Sequence, residues 1–71
     1  MSGDEMFEKL GYEDSPCGYG AKRYKGKNYF ITFYKEQVMI IAREEYNNII
    51  LSPKELQAIN KKCKELGWLD E

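Results

Sequence analysis

Apolar residues fall into two spacings along the chain. Up to Leu10, and again beyond Ser52, they recur every three or four positions, as on one side of a helix; between Gly18 and Leu51 they alternate, as along strands. The first helical stretch opens "SGDE", with Ser2 as N-cap and Glu5 as its capping-box partner, carries Met6, Phe7 and Leu10 on one face, and meets Gly11, which can take the left-handed conformation that stops a helix. It is predicted over residues 3–10. "GYEDSPCG" then reads as a loop, with Ser15-Pro16 as a turn signal.

The alternating region predicts strands over residues 19–25, 28–34, 37–43 and 46–51, separated by "KGKN", "YKEQ" and "REEY". Breaks this short make hairpins, so the strands should form an antiparallel meander. Only the first break contains glycine, and the register of the others rests on the hydrophobic pattern. The final segment, "LSPKEL", supplies Ser52 as N-cap, Pro53 at the first helical position and Glu55 as capping-box partner. Leu56, Ile59, Cys63 and Leu66 form the predicted buried stripe, with Lys54, Lys61, Lys62 and Lys64 in water. Gly67 should end the helix, with Trp68 folded back on its last turn. "EKLGY" and "KELGW" thus read as one stop device used twice: leucine, glycine, aromatic.

The expected fold is α+β: a short N-terminal helix, a three- to four-stranded antiparallel β-meander, and a C-terminal α-helix packed on one sheet face. Following side-chain parity through a two-residue loop at Lys35-Glu36 pairs Phe33 with Val38, Ile31 with Ile40 and Tyr29 with Ala42. A second such loop at Glu44-Glu45 adds Ile49 and Leu51 to this face, the expected seat of the C-terminal helix. The opposite face receives Phe30, Thr32, Tyr34, Gln37, Met39, Ile41, Arg43, Tyr46, Asn48 and Ile50, with Tyr19 and Arg23 as an extension. Its apolar centre, left bare, would expose a patch of several hundred Å², near the limit for soluble monomers. Three coverings are open: the N-terminal helix folding under it with Phe7 and Leu10, a symmetric dimer, or a partner protein.

Composition narrows the chemistry. The 71 residues suffice for one domain, 1–71, with 42% hydrophobic residues for a core and 32% charged residues for solubility. The net charge of −1 argues against a general polyanion binder. The charge is nevertheless segregated. Residues 1–16 hold Asp4, Glu5, Glu8, Glu13 and Asp14 against Lys9, whereas 17–35 hold Lys22, Arg23, Lys25, Lys27 and Lys35 and no acid. "AKRYKGKNYF" mixes base and aromatic, so a nucleic-acid module using Lys22, Arg23, Tyr24, Lys25, Lys27 and Tyr29 is the alternative reading. "KGKNYFITF" is one residue too long for the RNA-recognition consensus. The other reading of this basic stretch is a solvated hairpin whose lysines guard an edge.

There is no histidine, so the usual general base is missing. Ser2 and Ser52 are explained as helix caps, and "CGYG" does not lead from a strand into a helix as a phosphate loop does. Cys17 and Cys63 lack the spacing and companions of a zinc site and read as reduced thiols. No catalytic residue, cofactor or metal is expected. The acidic start lacks the apolar core of a signal peptide and no run is long enough to span a membrane, so a cytoplasmic protein is expected.

"FEKLGY", the tyrosine- and lysine-rich meander and "ILSPKELQAINKKCKELGW" resemble small uncharacterised proteins of phages and prophages of Gram-positive bacteria. The C-terminal block carries most of the resemblance, which implies an accessory protein in a bacterial host cell and transfers no functional residues. The expected function is a non-enzymatic protein-interaction module that binds, and in one form inhibits, a host or phage protein such as a defence component. Its expected contact surface is Phe30, Tyr34, Met39, Ile41 and Ile50, rimmed by Arg43 and Tyr46. A homodimer is an alternative occupant of that surface.

Overall fold

Ser2 and Ser52 start the two helices in the same way. In the computed structural model, which describes residues 1–44 and 48–70, each serine hydroxyl accepts from the amide three residues on, and Glu5 and Glu55 reach back to the serine amides. The helices are α1 (Gly3–Lys9) and α2 (Pro53–Glu65). Their ends match too. Tyr12 donates its amide to Phe7 and Trp68 to Cys63, while Gly11 and Gly67, at φ 90° and 78°, donate to Glu8 and Lys64. These are two Schellman motifs, each followed by an aromatic ring that packs into the core, Tyr12 edge-on to Phe7 and Trp68 against Phe33.

Between the helices lies one four-stranded antiparallel sheet in sequence order: β1 (Glu13–Asp14), β2 (Lys22–Lys25), β3 (Tyr29–Tyr34) and β4 (Gln37–Ala42). The β3–β4 register is the expected one, with Phe33 opposite Val38, Ile31 opposite Ile40 and Tyr29 opposite Ala42. Its two-residue loop has φ of 50° at Lys35 and 60° at Glu36, positive at both centres as a type I′ turn requires.

The meander has four strands, though not the four expected. β1 falls within a segment that reads as loop. Its two exposed, charged residues show no alternation; they pair with β2 because Tyr12 anchors the chain just before them, its ring over Gly26 so closely that a Cβ there would fall 2.5 Å away. β2 begins three residues late, because Gly18, Tyr19 and Gly20 all take positive φ and form a turn. The expected strand over residues 46–51 is not seen at 48–51, which form no strand; residues 45–47 lie outside the description. The Ile50 amide instead donates to the Tyr29 hydroxyl at 2.9 Å, and Ile49 is exposed.

Both helices lie on the same side of the sheet. Phe7 of α1 is fully buried, stacked on Tyr24 with ring centroids 4.2 Å apart and edge-on to Tyr12 and Phe33. Ile31, Phe33, Tyr29, Ala58 and Cys63 complete the core, with Trp68 against Phe33. Each such large apolar side chain contributes roughly 2–3 kcal/mol by leaving water. The expected α2 stripe is rotated: Ala58 and Cys63 are buried and Ile59 half-buried, but Leu56 stays 54% exposed and Leu66 is also exposed. The cause is α1, which packs beside α2 and draws its buried arc round to Ala58. Gly3 is buried in that seam, where a Cβ would sit 3.2 Å from the Lys62 Cα.

The Lys35-Glu36 turn places two side-chain-bearing residues in the left-handed region, at a cost of about 1 kcal/mol or more each. Replacing the pair by Asn-Gly should raise the urea midpoint by the equivalent of roughly 1 kcal/mol; a lower midpoint would show that Lys35 and Glu36 are not strained there.

Candidate interaction surface

Cross-strand partners share a face, so the register fixes what the second side of the sheet presents. Arg23 and Lys25 come from β2, Phe30, Thr32 and Tyr34 from β3, and Met39 and Ile41 from β4, with Arg43 just beyond. Met39 is 54% and Ile41 48% exposed, and Tyr34 is exposed beside them. The N-terminal helix does not fold under this face; Phe7 and Leu10 belong to the core on the other side.

Phe30 is only half-buried, and arginines shade it. The guanidinium carbons of Arg23 and Arg43 lie 5.1 and 5.7 Å from its ring centroid, within cation–π range. Both are tethered from behind: Arg43 Nη1 donates to the Gly26 carbonyl at 2.7 Å, and Arg23 Nε to the Ser15 carbonyl at 3.1 Å. Lys35 sits over the Tyr34 ring at 5.1 Å. Toward the loop, Cys17, Tyr19, Ala21, Thr32, Tyr34 and Met39 line an apolar groove of about 250 Å³, with Tyr19 92% exposed at its lip. Toward the other end, Lys25, Lys27 and Arg43 share a hollow of about 290 Å³ with Glu13.

Five of the seven expected contact residues, Phe30, Tyr34, Met39, Ile41 and Arg43, are therefore brought together. Ile50 is not among them: it is exposed on the segment that enters α2, its amide tied to face-one Tyr29, because residues 48–51 form no strand to carry it across. Tyr46 lies outside the described residues. Sequence periodicity could not reveal the groove's Cys17, which comes from a loop.

The six residues of the nucleic-acid reading do not form one surface. Tyr24 is 3% exposed under Phe7, and Tyr29 is buried as well, so neither ring is free to stack on a base. Lys22 points to the helix side, where it pairs with Asp14 at 2.8 Å. Arg23 and Lys25 lie on the opposite face and Lys27 in the turn beyond. Alternation separates these neighbours, although their clustering in sequence suggested one patch.

Two tyrosine hydroxyls clasp carboxylates beneath the helices. Tyr24 donates to Asp4 and Tyr12 to Glu55. Burial, reinforced by those carboxylates, raises both phenols well above their ordinary value, so they remain protonated donors. The Tyr24 bond, helped by Lys62, holds Asp4 below its usual range. At Glu55 burial pushes upward, but bonds from Ser52 and Tyr12 outweigh it and leave the carboxyl lowered. Cys17 and Cys63 are free thiols, the latter buried and raised by that burial. Among the described residues no group of three or more histidine, cysteine or carboxylate side chains is gathered as a metal site, and no helix is long and apolar enough to cross a membrane.

Comparison with protein-family models, curated proteins and solved structures finds no match to this chain.

Lowered folded-state carboxylates stabilise the fold above the unfolded carboxylate range, and that contribution is lost as pH falls through their folded values. Thermal melts should hold level down to about pH 5 and fall below about pH 4. Tyr24→Phe should flatten that fall; an unchanged slope would show that the clasp does not hold Asp4 down.

Proposed function

We propose that this chain is a non-enzymatic protein-interaction module whose uncovered sheet face docks a partner. The observation that carries the reading is that both helices occupy one side of the sheet, leaving Tyr34, Met39 and Ile41 exposed together on the other. Soluble monomers rarely leave contiguous apolar patches larger than a few hundred Å² uncovered. The edge adds support. Among the described residues nothing pairs with the outer side of β4, and its six residues, QVMIIA, include no charge or proline of the kind that blunts an edge strand.

The chemistry of the chain fits a binding role. It contains no histidine, and the two tyrosines with raised hydroxyls are engaged in joining strand and loop to helix. The likeness of its two ends to small phage and prophage proteins supports a finer version: an accessory protein in a bacterial cytoplasm that binds a host or phage protein and blocks its action.

The test is recovery of bound proteins from bacterial cells by the tagged wild-type chain and by Met39→Glu/Ile41→Glu. The variant should keep its circular dichroism and lose less than about 1 kcal/mol of stability, as solvent-facing changes do. It should also lose the protein that the wild type recovers. An unfolded variant would make these side chains core, and undiminished recovery would move the docking surface elsewhere.

A further inference from the structure

We infer that the occupant of the uncovered face is an acidic, apolar segment of a partner polypeptide. The inference rests on the docking reading above and adds the partner's chemistry, which the charge on the face decides. Although the whole chain carries −1, this face presents Arg23, Lys25 and Arg43, with Lys35 at its end. Among the described residues its strands oppose these with Glu13, across from Lys25 on the outermost strand, and Glu36 shares the turn with Lys35. Among the described residues none of these four cations forms an ion pair; the two pairs present, Lys22–Asp14 and Lys62–Asp4, join residues of the helix side.

The two arginines are held ready. Each guanidinium rests near Phe30 and is tethered to a backbone carbonyl, which leaves further N–H groups for a ligand. A carboxylate arriving there meets donors already in place, so little side-chain freedom is lost on binding. Next to them Met39 and Ile41 offer aliphatic surface, and the groove of about 250 Å³ beside Tyr34 and Met39 has room for an apolar side chain. Acids opposite Arg23, Lys25 and Arg43 with apolar groups opposite Met39 and Ile41 is the complementary pattern.

Two other occupants fit less well. A second copy docking face to face brings cations against cations, an arrangement that interfaces avoid. A nucleic acid would find its phosphate partners, but among the described rings of this face only Tyr19, at the lip of the groove, stands open. Phe30 already has two guanidiniums beside it and Tyr34 a lysine, and Met39 and Ile41 give no stacking plane.

The experiment titrates the ¹⁵N-labelled full chain with three probes: a short peptide of Glu, Asp, Leu and Phe, the same peptide with Lys for each acid, and a short oligothymidylate. The acidic peptide should shift the amides of Arg23, Phe30, Met39, Ile41 and Arg43, and added salt should weaken it. Arg23→Glu/Arg43→Glu should reduce its affinity about tenfold or more. Lys25→Glu, at an exposed residue with no tethering bond, should weaken it in the same direction and guards against a misfolded double variant. Equal shifts from the lysine peptide would overturn the acidic assignment, and tighter binding of the oligothymidylate at this face would make the occupant a nucleic acid. No binding of the acidic peptide, with protein recovery still dependent on Met39 and Ile41, would sink this inference and leave the docking reading standing. If that dependence is absent too, both fail.

Discussion

The stack of Phe7 on Tyr24 ties the first helix to the inner face of the sheet, and much else depends on it. It places α1 beside α2 rather than beneath the sheet. It also lets Asp4 reach the Tyr24 hydroxyl, so one ring serves as packing surface and as polar anchor. A domain this small has few large side chains to bury. Here Phe7, Tyr12, Tyr24, Tyr29 and Phe33 supply most of the core volume, and the buried hydroxyls of the pair from β2 and the first loop find carboxylates on the helices. The order Tyr–carboxylate–helix cap at Glu55 extends this: that side chain closes the Ser52 capping box and accepts from Tyr12.

Seating both helices on one side leaves the second face to manage its own apolar surface. The chain does this in part with arginine. Arg23 and Arg43 lie by Phe30, so the central ring is shaded and the cations remain accessible. Met39 and Ile41, nearer the edge, have no such cover. The face is therefore cationic over β2 and just past the end of β4, at Arg43, and grades into aliphatic surface at Met39 and Ile41. That grading, more than apolar exposure alone, gives the surface a chemical preference.

Much of this was legible in the sequence where local rules and tertiary packing agree. The serine caps, the glycine stops, the Lys35-Glu36 hairpin and the register of β3 on β4 follow from short-range patterns. The misreadings share another cause. β1 has no pattern of its own and exists because Tyr12 is pinned over Gly26. The α2 stripe of Leu56, Ile59, Cys63 and Leu66 suits a helix packed on a sheet alone, whereas α1 also packs beside α2, with Gly3 against Lys62, and Ala58 rather than Leu56 is buried. The apolar run Ile49-Ile50-Leu51 reads like the end of a strand, yet Tyr29 captures the Ile50 amide and the segment leads into α2. Parity alone put Phe30, Tyr34, Met39, Ile41 and Arg43 on one face of the sheet, where the register has them. The basic cluster misled because adjacent strand residues face opposite ways.

Two helices seal one face of the sheet and leave the other open. Side-chain methyl NMR with a soluble paramagnetic chelate reads this directly. The methyls of Met39 and Ile41 should be broadened strongly, Ile40 less, and Ile31 least of all, following their order of exposure. Met39 and Ile41 protected to the same degree as Ile31 would mean that the second face is covered in the isolated chain, and the case for a docking surface there would be lost.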